Sequence, residues 1–275
     1  MYTASTRCHQ AYIPYCAPDR PWRTIPRIKD IMTQHQMDSS NITLIVVAAG
    51  TGSRFGSDVP KQYLDIHTPD GDMPVIIATL SRFAVLLQEA QILVVVSEMW
   101  QSHMAEELDR FRLSDRVEII AGGATRTESV SNALAAVKAG CQYIGVHDGV
   151  RPIVPRDVVM EALEAVKEGA EGAIPVIDVT DSLRELQAEG DSAPVDRARY
   201  KAVQTPQFFP AKLLIEAYRT RDPKGTFTDD ASVLAAAGHT DMRLTHGSPY
   251  NIKITHPLDI KIAEIYSLSS TISAQ

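Results

Sequence analysis

The sequence predicts an α/β protein built on a mostly parallel sheet, and three observations lead there. From Ile42 onward, short β-branched runs alternate with longer amphipathic segments. The glycine-bearing loops sit directly after the strand-like runs. A single stretch, about 178–204, breaks the alternation with two extended segments around a polar tip. Alternation of this kind implies right-handed βαβ crossovers, a Rossmann-like sheet with helices on both faces, and a ligand site outside the carboxyl ends of the strands.

In order, Ile42–Ala48, Ile92–Ser97, Val117–Ala121, Tyr143–His147 and Ala173–Ile177 read as strands, because each is short and rich in Val and Ile. Pro74 is placed to open a helix whose Ile76, Ile77, Leu80 and Phe83 recur at core-facing spacing. Further helices are expected over Met99–Phe111, Thr127–Ala139 and Asp157–Glu168. Val179–Glu185 and Val195–Val203, separated by Ala188–Ser192, predict a protruding β-hairpin. A hairpin outside the main sheet has little surface of its own to bury its faces. It is therefore expected to be a dimerisation arm, the alternative being an excursion packed on its own subunit. Asn251–Thr255 reads as a short strand carrying Lys253.

Residues 1–40, interrupted by Pro14, Pro18, Pro21 and Pro26, are expected to be a loosely ordered extension or to precede a true start at Met32 or Met37. Residues 41–266 form the main domain, with the arm at about 178–204, and 267–275 form a polar tail. Of the 275 residues, 44% are hydrophobic and 22% charged, as in an ordinary globular chain. The 27 Lys and Arg against 34 Asp and Glu leave a net charge of -7, which argues against a nucleic-acid surface. Any anion must then be held by a local cluster of cations. No run approaches the roughly 20 apolar residues of a membrane span, and no apolar leader segment follows the early arginines. Cys8, Cys16 and Cys141 are too few for a disulfide framework, which suggests a reducing, cytoplasmic location.

The chemistry-bearing residues lie in the loops. The first strand runs into Ala48-Ala49-Gly50-Thr51-Gly52-Ser53-Arg54-Phe55-Gly56, followed by Pro60-Lys61-Gln62-Tyr63. Small residues let a backbone approach a ligand closely, and glycines allow turns that aim several N–H groups at one anion. The loop lacks the Gly-Lys-Ser/Thr of Walker A, and Phe55 stands where a dinucleotide fingerprint requires glycine. What it adds is two cations, Arg54 and Lys61, suited to the charge that builds on a leaving pyrophosphate. Gly122-Gly123-Ala124-Thr125-Arg126-Thr127-Glu128-Ser129 follows the third strand; it reads as a base- or sugar-facing loop or as an ordinary capped βα turn. His147-Asp148-Gly149-Val150-Arg151-Pro152 ends the fourth strand. There Asp148 suits magnesium or a sugar hydroxyl and Arg151 a phosphate, the alternative being an internal ion pair.

Asp70-Gly71-Asp72 has the Asp-x-Asp form of a metal site but the composition of an exposed turn. Asp229 and Asp230, ahead of Ala231-Ser232-Val233-Leu234, read as a helix cap rather than metal ligands. No zinc set and no serine-nucleophile elbow is present, so no residue is assigned to a metal.

Six ordered motifs, AAGTGSRFG with PKQY, GGATRTES, HDGVRP, VDRARYKAVQTPQFF, FTDDAS and NIKIT, resemble the 2-C-methyl-D-erythritol 4-phosphate cytidylyltransferase family over about Ile42–Tyr266. The resemblance implies a nucleotidyltransferase domain that joins CTP to a sugar-alcohol phosphate with release of pyrophosphate. It implies magnesium carried mainly on the CTP phosphates, and a homodimer whose arm reaches the partner's site. By position, Arg54 and Lys61 would bind the triphosphate, and Lys253 the reacting phosphate. Asp148 and Thr205 would position the alcohol phosphate with Arg151 nearby, and Thr180 and Arg197 would come from the second subunit. Ala48, Ala49, Gly50, Gly122 and Ser129 would frame cytosine and ribose, with Thr51, Gly52 and Arg126 in the same nucleotide-binding set. Rival readings are a ribitol-5-phosphate cytidylyltransferase, a nucleotide-dependent glycosyltransferase or dehydrogenase, and a nucleotide-binding module without catalysis.

Overall fold

The computed structural model describes residues 38–50, 59–187 and 190–268. Residues 269–275 of the tail expected at 267–275, and all but the last three residues of the expected extension, lie outside that set, while Ser267 and Leu268 end the last helix. The elements run β1 (Ile42–Val47), β2 (Asp65–Thr68), β3 (Gly71–Pro74), α1 (Val75–Leu86), β4 (Gln91–Val96), α2 (Gln101–Arg110) and β5 (Val117–Ala121). They continue with α3 (Arg126–Leu134), β6 (Tyr143–Asp148), α4 (Arg156–Lys167), β7 (Gly172–Asp178), β8 (Arg184–Leu186) and β9 (Ser192–Pro194). The chain closes with β10 (Lys201–Val203), β11 (Gln207–Pro210), α5 (Ala211–Thr220), α6 (Asp230–Ala236), β12 (Met242–His246) and α7 (Pro257–Leu268).

Eight strands form one sheet in the order β10-β7-β11-β6-β1-β4-β5, with β12 also paired to β7. β6, β1, β4 and β5 are mutually parallel, as is the β12–β7 pair; β10 and β11 run antiparallel to their neighbours. Both faces of β1 and β4 are covered, which is why they read as apolar runs rather than alternating ones, whereas β5 at the sheet edge leaves Glu118 and Ala121 exposed. On one face Ile45, Leu93, Val95, Ile144 and Val146 pack with Val130, Leu214 and Leu234 from three helices. The opposite face carries the alternate residues, and there the α1 ring of Phe83 meets the β6 imidazole of His147 edge-on at 4.7 Å. Pro74 caps α1 as its position suggested.

Three expected elements differ. The segment Val195–Val203 is not one hairpin strand. Asp196 caps a 3-10 turn at Arg197–Arg199, and β10 then returns to the main sheet with Lys201 opposite Asp178. The excursion keeps only three hairpin pairs, between β8 and β9. The helix expected over Thr127–Ala139 ends at Leu134, because Ala136 and Val137 donate to Ala133 and Leu134 in tighter i to i-3 bonds. Asn251–Thr255 is irregular: it is held by side-chain bonds and by the Ile254 N–H to the Val150 carbonyl (2.9 Å), not by a ladder. Asp70 stands exposed at the tip of the β2–β3 hairpin, whose turn uses Gly71 at φ 106°. Among the described residues no helix is long and apolar enough to cross a membrane.

Candidate active site

The carboxyl ends of β1, β5 and β6 open into a cavity of about 380 Å³. The end of β1 leads Ala48, Ala49 and Gly50 into its wall. The loop is pinned by Gln62, whose amide donates to the carbonyls of Ala48 (2.8 Å) and Gly50 (2.9 Å). Gln62 sits in a 3-10 turn with Lys61 and Tyr63, and Tyr63 stacks on Trp100 at 4.4 Å between ring centroids. The same turn therefore fixes the small-residue loop and brings Lys61 to the cavity.

The β5–α3 loop supplies the second wall. Thr125 caps α3 by accepting from the Glu128 N–H, and Ser129 accepts from Gly123 N–H at 3.1 Å while donating to the Thr125 carbonyl at 2.9 Å. Gly122 packs behind it; a Cβ there would lie 2.5 Å from Ala49 Cβ, so glycine lets the two loops meet. Arg126 reaches the cavity from the first turn of α3 with its guanidinium on the buried Asp230 (2.7 Å). Asp230 also accepts from the Tyr218 hydroxyl at 2.6 Å. Asp229 caps α6 in a reciprocal capping box, as its place in the sequence suggested.

The third wall is the end of β6. Asp148 Oδ2 takes Lys253 Nζ and Arg151 Nε, each at 3.1 Å. Burial alone would raise the Asp148 pKa, but Lys253, Arg151 and Arg126 outweigh it and hold the carboxyl well below the usual range. Arg151 is itself buried and gives its remaining reach to the Asn251 carbonyl (2.7 Å), the geometry of the internal ion pair weighed as its alternative. Thr205 is buried beside Asp148 and accepts from its backbone N–H at 3.1 Å. Asn251, fully buried, donates to the Thr205 carbonyl (2.8 Å) and so ties the Lys253 segment to the same wall.

Of the residues singled out in the sequence, Ala48, Ala49, Gly50, Lys61, Arg126, Ser129, Asp148 and Lys253 share this cavity. Gly122, Arg151 and Thr205 lie directly behind its wall. Thr51, Gly52 and Arg54 lie outside the described residues. Thr180 and Arg197 are brought to each other, the Arg197 guanidinium donating to the Thr180 carbonyl, and both are exposed on the excursion rather than in the cavity. Gln62 and Asn251 carry no role in the sequence reading; the signal for each is a neutral amide one or two residues from a cation, Lys61 or Lys253, able to donate to buried loop carbonyls.

The magnesium that the family resemblance implies finds few protein ligands on this wall. Among the described cavity residues the one carboxylate is Asp148, already shared by Lys253 and Arg151. No cluster of three or more His, Cys, Asp or Glu among the described residues could cage a metal. A hard cation that keeps its water and prefers phosphate oxygens suits such a site.

Over residues 42–269 the chain matches the IspD family, described as 2-C-methyl-D-erythritol 4-phosphate cytidylyltransferase. The enzyme of that name from Phocaeicola vulgatus is 42% identical over 225 residues, spanning 82% of this chain and 99% of that protein. The crystal structure of 2-C-methyl-D-erythritol 4-phosphate cytidylyltransferase from Thermus thermophilus superposes with a TM-score of 0.65 at 31% identity, covering 82% of this chain and 97% of that one. A 4-diphosphocytidyl-2C-methyl-D-erythritol synthase from Anaerococcus prevotii shares the fold with a TM-score of 0.71 at 23% identity, over 83% of this chain and 96% of that one. With its matched span, ordered motifs and cavity in agreement, this chain belongs to the 2-C-methyl-D-erythritol 4-phosphate cytidylyltransferase family.

Proposed function

We infer that this enzyme joins CTP and 2-C-methyl-D-erythritol 4-phosphate to give the CDP-linked alcohol and pyrophosphate. The observation that carries this reading is the convergence of Lys61, Arg126 and Lys253 on one cavity in a chain of net charge -7. The attacking phosphate monoester has a second pKa of about 6, so at neutral pH it is a dianion and needs no base. One of its oxygens forms the new bond to the α-phosphorus of CTP while the bond to the β-phosphate oxygen breaks, and pyrophosphate leaves with that electron pair. The work of the protein is to hold two polyanions in line and to meet the charge that accumulates on the leaving group. On this reading Lys61, which lines the cavity, meets the triphosphate, a role the family resemblance also gives to Arg54, which lies outside the described residues. Lys253 meets the incoming phosphate on this reading, exchanging its Asp148 partner for phosphate oxygens as Asp148 takes alcohol hydroxyls. Magnesium would be held mainly by the CTP phosphates and would supply further charge neutralisation there.

The excursion at 178–204 is proposed to complete a second subunit's site in a homodimer, with Thr180 and Arg197 facing the alcohol phosphate; their exposure supports that reading. A cytoplasmic location is proposed from the low cysteine content. Family membership supports methylerythritol phosphate over ribitol phosphate and a cytidylyltransferase over the other rivals. The test is pyrophosphate release from CTP with each alcohol phosphate in turn. Faster turnover of methylerythritol phosphate is expected; faster turnover of ribitol 5-phosphate would overturn the substrate assignment.

A further inference from the structure

His147 lies between the β6 core and the cavity wall, fully buried, and the reaction as described gives it no role. Both its ring nitrogens are engaged. Nε2 is 3.1 Å from the carbonyl oxygen of Arg151, and Nδ1 is 3.0 Å from Thr205 Oγ1. A carbonyl can only accept, so Nε2 carries a proton. The ring is packed edge-on against Phe83 at 4.7 Å, and neither of its nitrogens bonds to a carboxylate, a setting that keeps imidazole neutral. Nδ1 is then a lone pair, and the hydroxyl proton of Thr205 must point at it.

The consequence passes to Thr205. Its oxygen already accepts the Asp148 backbone N–H at 3.1 Å, and its one proton is taken by His147. What remains is a single lone pair. We propose that His147 is a positioning residue that makes Thr205 an acceptor only, so that Thr205 meets a hydroxyl of the sugar alcohol and not its phosphate. A phosphate dianion has no proton to offer and would be repelled by that lone pair. Thr205 and Asp148 thus form a pair of acceptors for alcohol hydroxyls, while Lys253 is left for the phosphate. This inference rests on the substrate class argued above and on Thr205, 5% exposed beside Asp148, reaching the alcohol at the cavity wall.

The test uses the full chain. His147→Asn keeps an acceptor near the Nδ1 position, and His147→Phe removes it while keeping a ring of similar size. The KM for the alcohol phosphate is expected to rise about 10-fold in His147→Phe, with the KM for CTP within about twofold of wild type, and His147→Asn should recover most of the loss. An unchanged alcohol KM in His147→Phe, or an equal rise for CTP, would overturn the assignment. The second measurement does not depend on turnover or on a variant that folds. Nitrogen NMR of the wild-type imidazole at neutral pH should show a protonated Nε2 and a bare, hydrogen-bonded Nδ1; a proton on Nδ1 would overturn it. If the wild type released no pyrophosphate while the imidazole had the expected form, the substrate reading would fall and the hydrogen-bond assignment would stand.

Discussion

The cavity wall and the excursion at about 178–204 carry residues of similar type, yet they are held in opposite ways. On the wall, Gln62, Asn251, Arg151 and Asp148 are buried and each is tied by side-chain bonds to a neighbouring loop. On the excursion, β8 is exposed throughout, and Arg197 and Thr180, exposed as well, bond to each other. Burial fixes a charged group where its own subunit needs it; exposure leaves a group within reach of another surface. Changes to the wall should therefore cost stability or turnover from within one subunit, whereas changes to the excursion should cost association.

The largest effect is expected for Asp230→Ala. It strips the Arg126 guanidinium and the Tyr218 hydroxyl of a common buried partner. Chemical denaturation should show a loss of about 3 kcal/mol. Next comes Lys61→Ala, which should lower kcat at least ~100-fold, about 2.7 kcal/mol of barrier, while the fold and its stability persist. Near-normal turnover would remove Lys61 from its central place. The third concerns pH. Burial lowers the His147 pKa to about 4 from 6.5, so as pH falls through that interval the unfolded chain takes up a proton that the folded chain refuses. Stability should be fully present above about 6.5 and fall by roughly 1.4 kcal/mol per pH unit down to about 4. His147→Phe should flatten that slope in denaturation curves at pH 7 and 5.

Gly122→Ala should cost about 1 kcal/mol, since the new Cβ would meet Ala49 Cβ at 2.5 Å. A raised KM for CTP would accompany it if the two loops shape the nucleotide site. Deleting Ser182 to Ala193 should change stability least, within about 0.5 kcal/mol, yet abolish self-association and most turnover. A truncated chain that kept its association state and full activity would erase the distinction between the two regions.

The same contrast explains what the sequence made legible. β1, β4, β6 and β7 stand out because strands buried on both faces need nearly continuous apolar residues, and β5, at the sheet edge, by its β-branched Val117, Ile119 and Ile120. The loops that follow β1, β5 and β6 stood out because close approach demands glycine and alanine. Hidden were the features that depend on distant partners. Arg126 meets Asp230 across 104 residues, and nothing local in FTDDAS distinguishes a capping aspartate from its neighbour in a buried ion pair. The Asn251–Thr255 segment alternates like a strand, but its bonds go to Gln204, Thr205 and Val150. Val195–Val203 looks extended, and only the cap at Asp196 and the register of β10 against β7 show why it turns back.

The central claim is that fixed cations join two phosphates without proton abstraction by the protein, and the pH profile of kcat/KM for methylerythritol phosphate tests it most directly. The rate should rise through about pH 6, as the attacking phosphate loses its second proton, and then hold a plateau to about pH 8.5. A rate that kept climbing about tenfold per unit above pH 7 would reveal a required base and contradict it.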